Sequence, residues 1–218
     1  MIVRDCVLRP RVYVGDTVPP LTVEDTSRYG NNGTLTTMTR LFLPSGLWVL
    51  NKNANACQMH WESSASELPT LNIRDAFTYL QWVRFTTWSG GEDYTLYKTN
   101  IRLSLSATHY LRLYIVGATN SAFYSTDTIP VVLGEWTFLA VTYAGTNALI
   151  SLYVNGILDG ATASNSGRIN SHITFDMDSP SVGLTARGQL HTPGLFIYSM
   201  TAAQIWDRFN NERGWFGR

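Results

Sequence analysis

Short runs rich in β-branched and aromatic residues recur along the chain, separated by clusters of Gly, Asn, Ser and Asp. That rhythm of strands and tight turns marks an all-β sandwich or barrel. The clearest run, Trp136 to Tyr143, is apolar or β-branched on both alternating faces, as a central strand covered on both sides requires. Ala144-Gly145-Thr146-Asn147 reads as the next turn. In Leu149 to Val154, Ile150, Leu152 and Val154 share one face and Ser151 and Tyr153 the other, which predicts a half-buried strand. It meets Asn155-Gly156, the pair best suited to the positive φ angles of a type I′ hairpin turn, so Ile157-Leu158-Asp159 should return antiparallel.

Phe77 to Phe85 reads as another strand packed on both faces, and Leu103 to Ser106 with Tyr110 to Val116 as a period-two pair. Val12-Tyr13-Val14 suggests a strand and Val18-Pro19-Pro20 an exposed break. Helical patterning is confined to the end of the chain. After a short strand at Leu195 to Tyr198, Thr201 and Gln204 fit a capping box, and Met200 with Ile205 a hydrophobic staple. A helix of two to three turns through Phe209 should follow, with Ile205 and Phe209 on its buried side.

The 218 residues suit one large β domain: an arm over 1–22, a core over 23–210 and a tail over 211–218. With 44% hydrophobic and 15% charged residues, there is ample apolar material for a core and too little charge for a disordered chain. Lys plus Arg and Asp plus Glu both number 16, so there is no excess charge of the kind that nucleic acid or anionic membranes select. No stretch reads as a signal peptide or membrane span. The expectation is a chain made in the cytoplasm and not inserted in a membrane. Cys6 and Cys57 are too few and too far apart for a disulfide framework or zinc set and read as buried thiols.

Four segments, in order from about Val23 to Asn210, resemble the laminin-G-like, concanavalin A-like lectin superfamily. Val23 to Leu35 is similar to its opening Asp-x-Ser and Gly-Thr-Leu motif, and Phe77 to Arg84 to its core strand. Trp136 to Tyr143 with Leu152-Tyr153-Val154-Asn155-Gly156 resembles its Trp strand and hairpin, and Gly194 to Ile205 its closing strand and capped helix. The pattern departs from the family at Met59 to Ser64. The resemblance implies an antiparallel two-sheet jelly-roll sandwich with one short C-terminal helix. It does not imply one function, because this fold hosts lectins, adhesion modules, hydrolases and structural proteins.

Glycosidases on this fold need two carboxylates aimed into one groove. No Glu-x-Asp-x-x-Glu arrangement occurs, and the neighbours Glu24-Asp25 and Glu92-Asp93 would face opposite ways on a strand. His60, His109, His172 and His191 lack metal-ligand spacing, and no nucleophile elbow or phosphate loop is present. No catalytic residue is expected. Many relatives carry calcium, for which Asp25, Ser27, Asn31 and Asn32 could supply oxygens, and Asp176 with Asp178 form a second polar loop. The same residue types also bond their own backbone in turns. For sugar stacking the loop candidates are Tyr29, Trp61 and Trp88, although Trp in such domains also covers core edges. Trp215 and Phe216 read as a tail anchor, to this domain or to a neighbouring subunit.

With those catalytic motifs missing, the expectation is a non-catalytic binding or structural module. Members of the superfamily it resembles include isolated domains of virus particles, which suggests a capsid decoration or tail-associated attachment protein at the virion surface, held as a homo-oligomer or by capsid or tail proteins. A carbohydrate-binding lectin of cellular origin is the alternative. The two roles are compatible, since a virion domain can bind host glycans. A glycoside hydrolase is disfavoured by the missing carboxylate motif.

Overall fold

A computed structural model describes residues 6–8, 10–11, 22–27, 30, 32–53, 57–61, 76–88, 93–98, 101–116, 121–125, 128–144, 149–163, 175–177, 187–191 and 193–218. In chain order the strands are β1 (Cys6–Leu8), β2 (Pro10–Arg11), β3 (Thr22–Asp25), β4 (Gly33–Thr36), β5 (Thr39–Phe42) and β6 (Trp48–Lys52). There follow β7 (Gln58–Trp61), β8 (Ala76–Thr87), β9 (Asp93–Lys98), β10 (Ile101–Leu105), β11 (Leu111–Val116) and β12 (Ser121–Ser125). The last are β13 (Thr137–Ala144), β14 (Leu149–Val154), β15 (Ile157–Ala163), β16 (Phe175–Met177), β17 (Arg187–Leu190) and β18 (Gly194–Phe196), before helix α1 (Ala202–Glu212) and a 3-10 helix, Arg213–Phe216. None of the helices described is long and apolar enough to cross a membrane.

Among the described residues the strands form two antiparallel sheets. The first runs β15-β14-β13-β8-β17-β6-β5, with β18 paired to β8 and β1 to β18; the second runs β12-β11-β10-β9-β16-β7-β4-β3-β2. The expected two-sheet sandwich with a single C-terminal helix is what the chain forms. The N-terminal arm belongs to it, since Cys6 pairs with Phe196 and Pro10 with Asp25. The proposed strand at Val12 to Val14, the break at Val18 to Pro20 and the turn over 145–147 lie outside the described residues.

β8 organises the core because both its faces are apolar. Its odd-numbered Phe77, Tyr79, Val83 and Phe85 pack between the sheets, while Leu80 and Trp82 pack on the far side of the first sheet. β13 repeats this, with Leu139, Val141 and Tyr143 inside and Phe138 and Ala140 outside. Full burial of one such side chain contributes roughly 1.5–3 kcal/mol. A sheet apolar on both faces needs a third layer, and the C-terminus provides it. Phe216 stacks on Trp82 at 4.3 Å and Phe209 at 5.7 Å, and the Trp82 indole N–H donates to Glu212 Oε2 at 3.0 Å.

That layer lengthens the expected helix, which continues past Phe209 to Glu212, and in the segment after it Phe216 is buried against Trp82 and Trp136. The helix start is as expected: Gln204 N donates to Thr201 Oγ1 and Thr201 N to Gln204 Oε1, with Met200 and Ile205 buried. The hairpin is also as expected, with φ of 51° at Asn155 and 78° at Gly156. Asn155 adds a tertiary bond, its Oδ1 accepting from Phe138 N at 3.0 Å. Gly156 is required twice, since an added Cβ would lie 2.9 Å from Trp206 Cε3 on the helix.

One polar chain crosses the interior. The Tyr79 hydroxyl lies 2.8 Å from Gln81 Oε1 and 3.2 Å from the Thr95 carbonyl of the second sheet, while Gln81 Nε2 donates to the His191 carbonyl. Burial raises the Tyr79 pKa well above its ordinary 10.0, although the hydrogen bond with Thr95 acts in the lowering direction. Cys6 and Cys57 are buried free thiols, as expected.

Candidate functional site: the solvent face of the second sheet

In the second sheet Ile101, Leu103 and Leu105 of β10 and Leu111 and Leu113 of β11 are buried between the sheets. Strand period therefore turns Arg102, Ser104, Arg112 and Tyr114 to the opposite face, where Ser104 is buried and the other three are half-buried. Arg102 pairs with Tyr114 on β11 and with Tyr97 on β9, and Tyr114 pairs with Phe123 on β12. On the other side Tyr97 pairs with Asp176 on β16, Asp176 with His60 on β7, and His60 with Thr34 on β4. The backbone thus aligns one row of aromatic and hydrogen-bonding residues across seven strands. A second row pairs Ser104 with Arg112 and Arg112 with Ser125.

The centre of the row is built. The Arg102 guanidinium carbon lies 5.1 Å from the centroid of the Tyr114 ring, and both residues are half-buried. A guanidinium held over an aromatic face by about 0.5–2 kcal/mol is a planar donor fork whose rotamers are already restricted. Aromatic rings next to such a fork and to hydroxyls offer stacking for an apolar ring face and donors for its oxygens.

The residues singled out in the sequence fall elsewhere. Asp25 is buried, its carboxylate accepting from Ser27 N at 2.9 Å and Ser27 Oγ at 2.6 Å, and Asn32 Oδ1 accepts from Asp25 N at 2.9 Å. The structure brings these three together as a turn that bonds its own backbone. Among the described residues no group of three or more His, Cys, Asp or Glu is placed to hold a metal ion. Tyr29, Asn31 and Asp178 lie outside the described residues, and Trp61 ends β7 paired in register with Phe175. Trp88 is half-buried, stacked on His109 at 4.1 Å and 15° and tilted against Phe85 at 5.1 Å. That stack places Trp88 at the core edge, with a ring face already occupied. Trp215 is exposed, and Phe216 is buried against Trp82 and Trp136 of its own chain.

The sequence reading looked for binding aromatics in loops and missed the Arg102 row. The available signal was the alternation in Ile101-Arg102-Leu103-Ser104 and Leu111-Arg112-Leu113-Tyr114, where every second residue is polar or amphipathic.

The architecture is a two-sheet antiparallel sandwich. Residues 61–206 match the concanavalin A-like lectin/glucanases superfamily, and the chain belongs to that family. No curated protein is similar to it in sequence. Among solved structures, the binding domain of Paraclostridial Mosquitocidal Protein 1 superposes with a TM-score of 0.78 at 12% identity, covering 98% of this chain and 55% of the other. The binding domain of botulinum neurotoxin serotype G gives 0.70 at 17% identity, over 95% and 51%. A structure of botulinum neurotoxin type C, whose cell entry depends on interaction with two ganglioside molecules, gives 0.73 at 13%, over 96% and 52%. This chain spans about half the length of these structures. At such identities the likeness is one of fold.

Proposed function

We propose that this chain is a non-catalytic binding module that holds a glycan on the solvent face of its second sheet. The observation that carries the reading is the in-register row centred on Arg102 and Tyr114. It is supported by membership of a lectin-containing family and by the fold shared with toxin structures, among them one of botulinum neurotoxin type C, whose cell entry depends on interaction with two ganglioside molecules. Since this fold accounts for about half of those toxin chains, their ligands do not transfer with it.

A glycan array probed with and without calcium tests the reading. Binding by the wild-type chain that is lost in Arg102→Ala supports it, whereas signal at background for the folded wild type removes it. Release of reducing sugar from a bound glycan would instead revive a hydrolase.

The setting we infer is the surface of a virus particle, as a decoration or tail-associated protein reached from the cytoplasm and held by copies of itself or by capsid or tail subunits. The resemblance to isolated virion domains supports this setting. A chain detected on purified particles by immunogold labelling would bear it out, and its absence from them would leave the cellular lectin.

A further inference from the structure

Several large apolar side chains stand 42–53% exposed on segments that meet at one end of the first sheet: Val132, Leu133, Ile157, Leu158, Trp206 and Trp215. The segments are tied together there. Gly134 N donates to Phe85 O at 2.7 Å, bringing the loop before β13 to the end of β8. Asn155 N donates to Phe138 O at 2.8 Å, placing the β14–β15 turn beside the start of β13. Trp206 lies over that turn, as its approach to Gly156 shows, and the 3-10 helix joins through Phe216 on Trp136 at 4.8 Å and the Arg218–Glu135 ion pair.

We propose that this end is a self-association surface that pairs two copies of the chain about a two-fold axis. The exposed apolar side chains amount to on the order of 500 Å², near the upper limit for a monomer's largest patch. That is more than half of the roughly 800 Å² each partner contributes to a stable interface, and Trp is the residue type such interfaces favour. The surrounding charges are of both signs, with Glu135 and Asp207 beside Arg208, Arg213 and Arg218. A rim of mixed sign on a chain with 16 basic and 16 acidic residues matches a second copy of itself better than it matches a strongly acidic or basic partner.

The pairing surface lies at one end of the first sheet, where the β14–β15 turn, the loop before β13 and the helix layer meet, whereas the Arg102 row lies on the second sheet. A dimer built there leaves both rows open and gives bivalent attachment, in which the second contact is intramolecular. The dimer itself does not depend on the row's being a glycan site.

Sedimentation velocity of the full chain over a wide concentration range tests the proposal. The expected result is twice the 24.4 kDa chain mass at high concentration, falling to the single mass on dilution. Trp215→Arg and Leu158→Lys should each return the protein to a monomer with an unchanged circular dichroism spectrum. If one variant fails to fold, the other still decides. A wild type that stays monomeric throughout, or folded variants that remain dimeric, would overturn the proposal.

Discussion

The sandwich turns two different faces outward. The outer face of the first sheet carries Leu80, Trp82, Phe138 and Tyr153, and the chain's own helix and 3-10 helix cover it. The outer face of the second sheet carries Arg102, Arg112 and Tyr114 on strands whose other side is equally apolar, and these three remain half-buried. The strands differ in period and not in strength. β8 and β13 are apolar on both sides, so water must be excluded twice, whereas β10 and β11 alternate and need cover only once. The first pattern recruits a third layer; the second leaves Arg102, Arg112 and Tyr114 half-buried on its outer face.

Substitutions on the two faces should therefore separate stability from binding. The largest expected effect is on the covered face: Trp82→Ala removes the ring that Phe209 and Phe216 stack on and the donor to Glu212. We expect a loss of about 3–5 kcal/mol in urea unfolding, with the helix layer loosened first. A loss under about 1 kcal/mol would mean that the layer contributes little. Next is Gly156→Ala, which strains a residue at φ 78° and drives a Cβ to within 2.9 Å of Trp206. About 1–3 kcal/mol should be lost, visible as a lowered melting temperature.

Tyr79→Phe, between the faces, should cost about 1 kcal/mol at neutral pH because Gln81 Oε1 loses its donor. It should also change the alkaline limb. The folded pKa of Tyr79 is raised, so the unfolded chain releases this proton first, and stability falls as pH rises above about 10. The wild type should lose stability there more steeply than Tyr79→Phe; parallel curves would show that Tyr79 is not the group responsible. The smallest stability effect belongs to the open face. Arg102→Ala should shift unfolding by less than about 1 kcal/mol while abolishing glycan binding, and a large destabilisation would reclassify Arg102 as structural.

Features with local causes were readable from residues alone. Asn155-Gly156 forms its turn because two adjacent residues tolerate positive φ, and Thr201 with Gln204 caps the helix because three positions bring side chain and backbone together. The double-sided strands at 77–85 and 137–143 declared themselves by composition. The surroundings of Trp88 were not readable in this way, since its stacking depends on His109, which stands at φ 67° in a hairpin turn on the other sheet.

The sequence by itself thus determined the strands at 77–85, 103–116, 136–143 and 149–159, the hairpin turn, the helix start and the two-sheet class, because each is set by contacts a few residues apart or by the period of a single strand. Only the tertiary structure decided that Phe216 closes the molecule's own outer layer, that Asp25 serves a turn, and that Thr34, His60, Tyr97, Arg102, Tyr114, Phe123 and Asp176 share one line. Those residues come from four consecutive strands, β9 to β12, and from the more distant β4, β7 and β16, and which of them become neighbours is a matter of inter-strand register, where a slip of one residue would turn a strand's side chains to the other face.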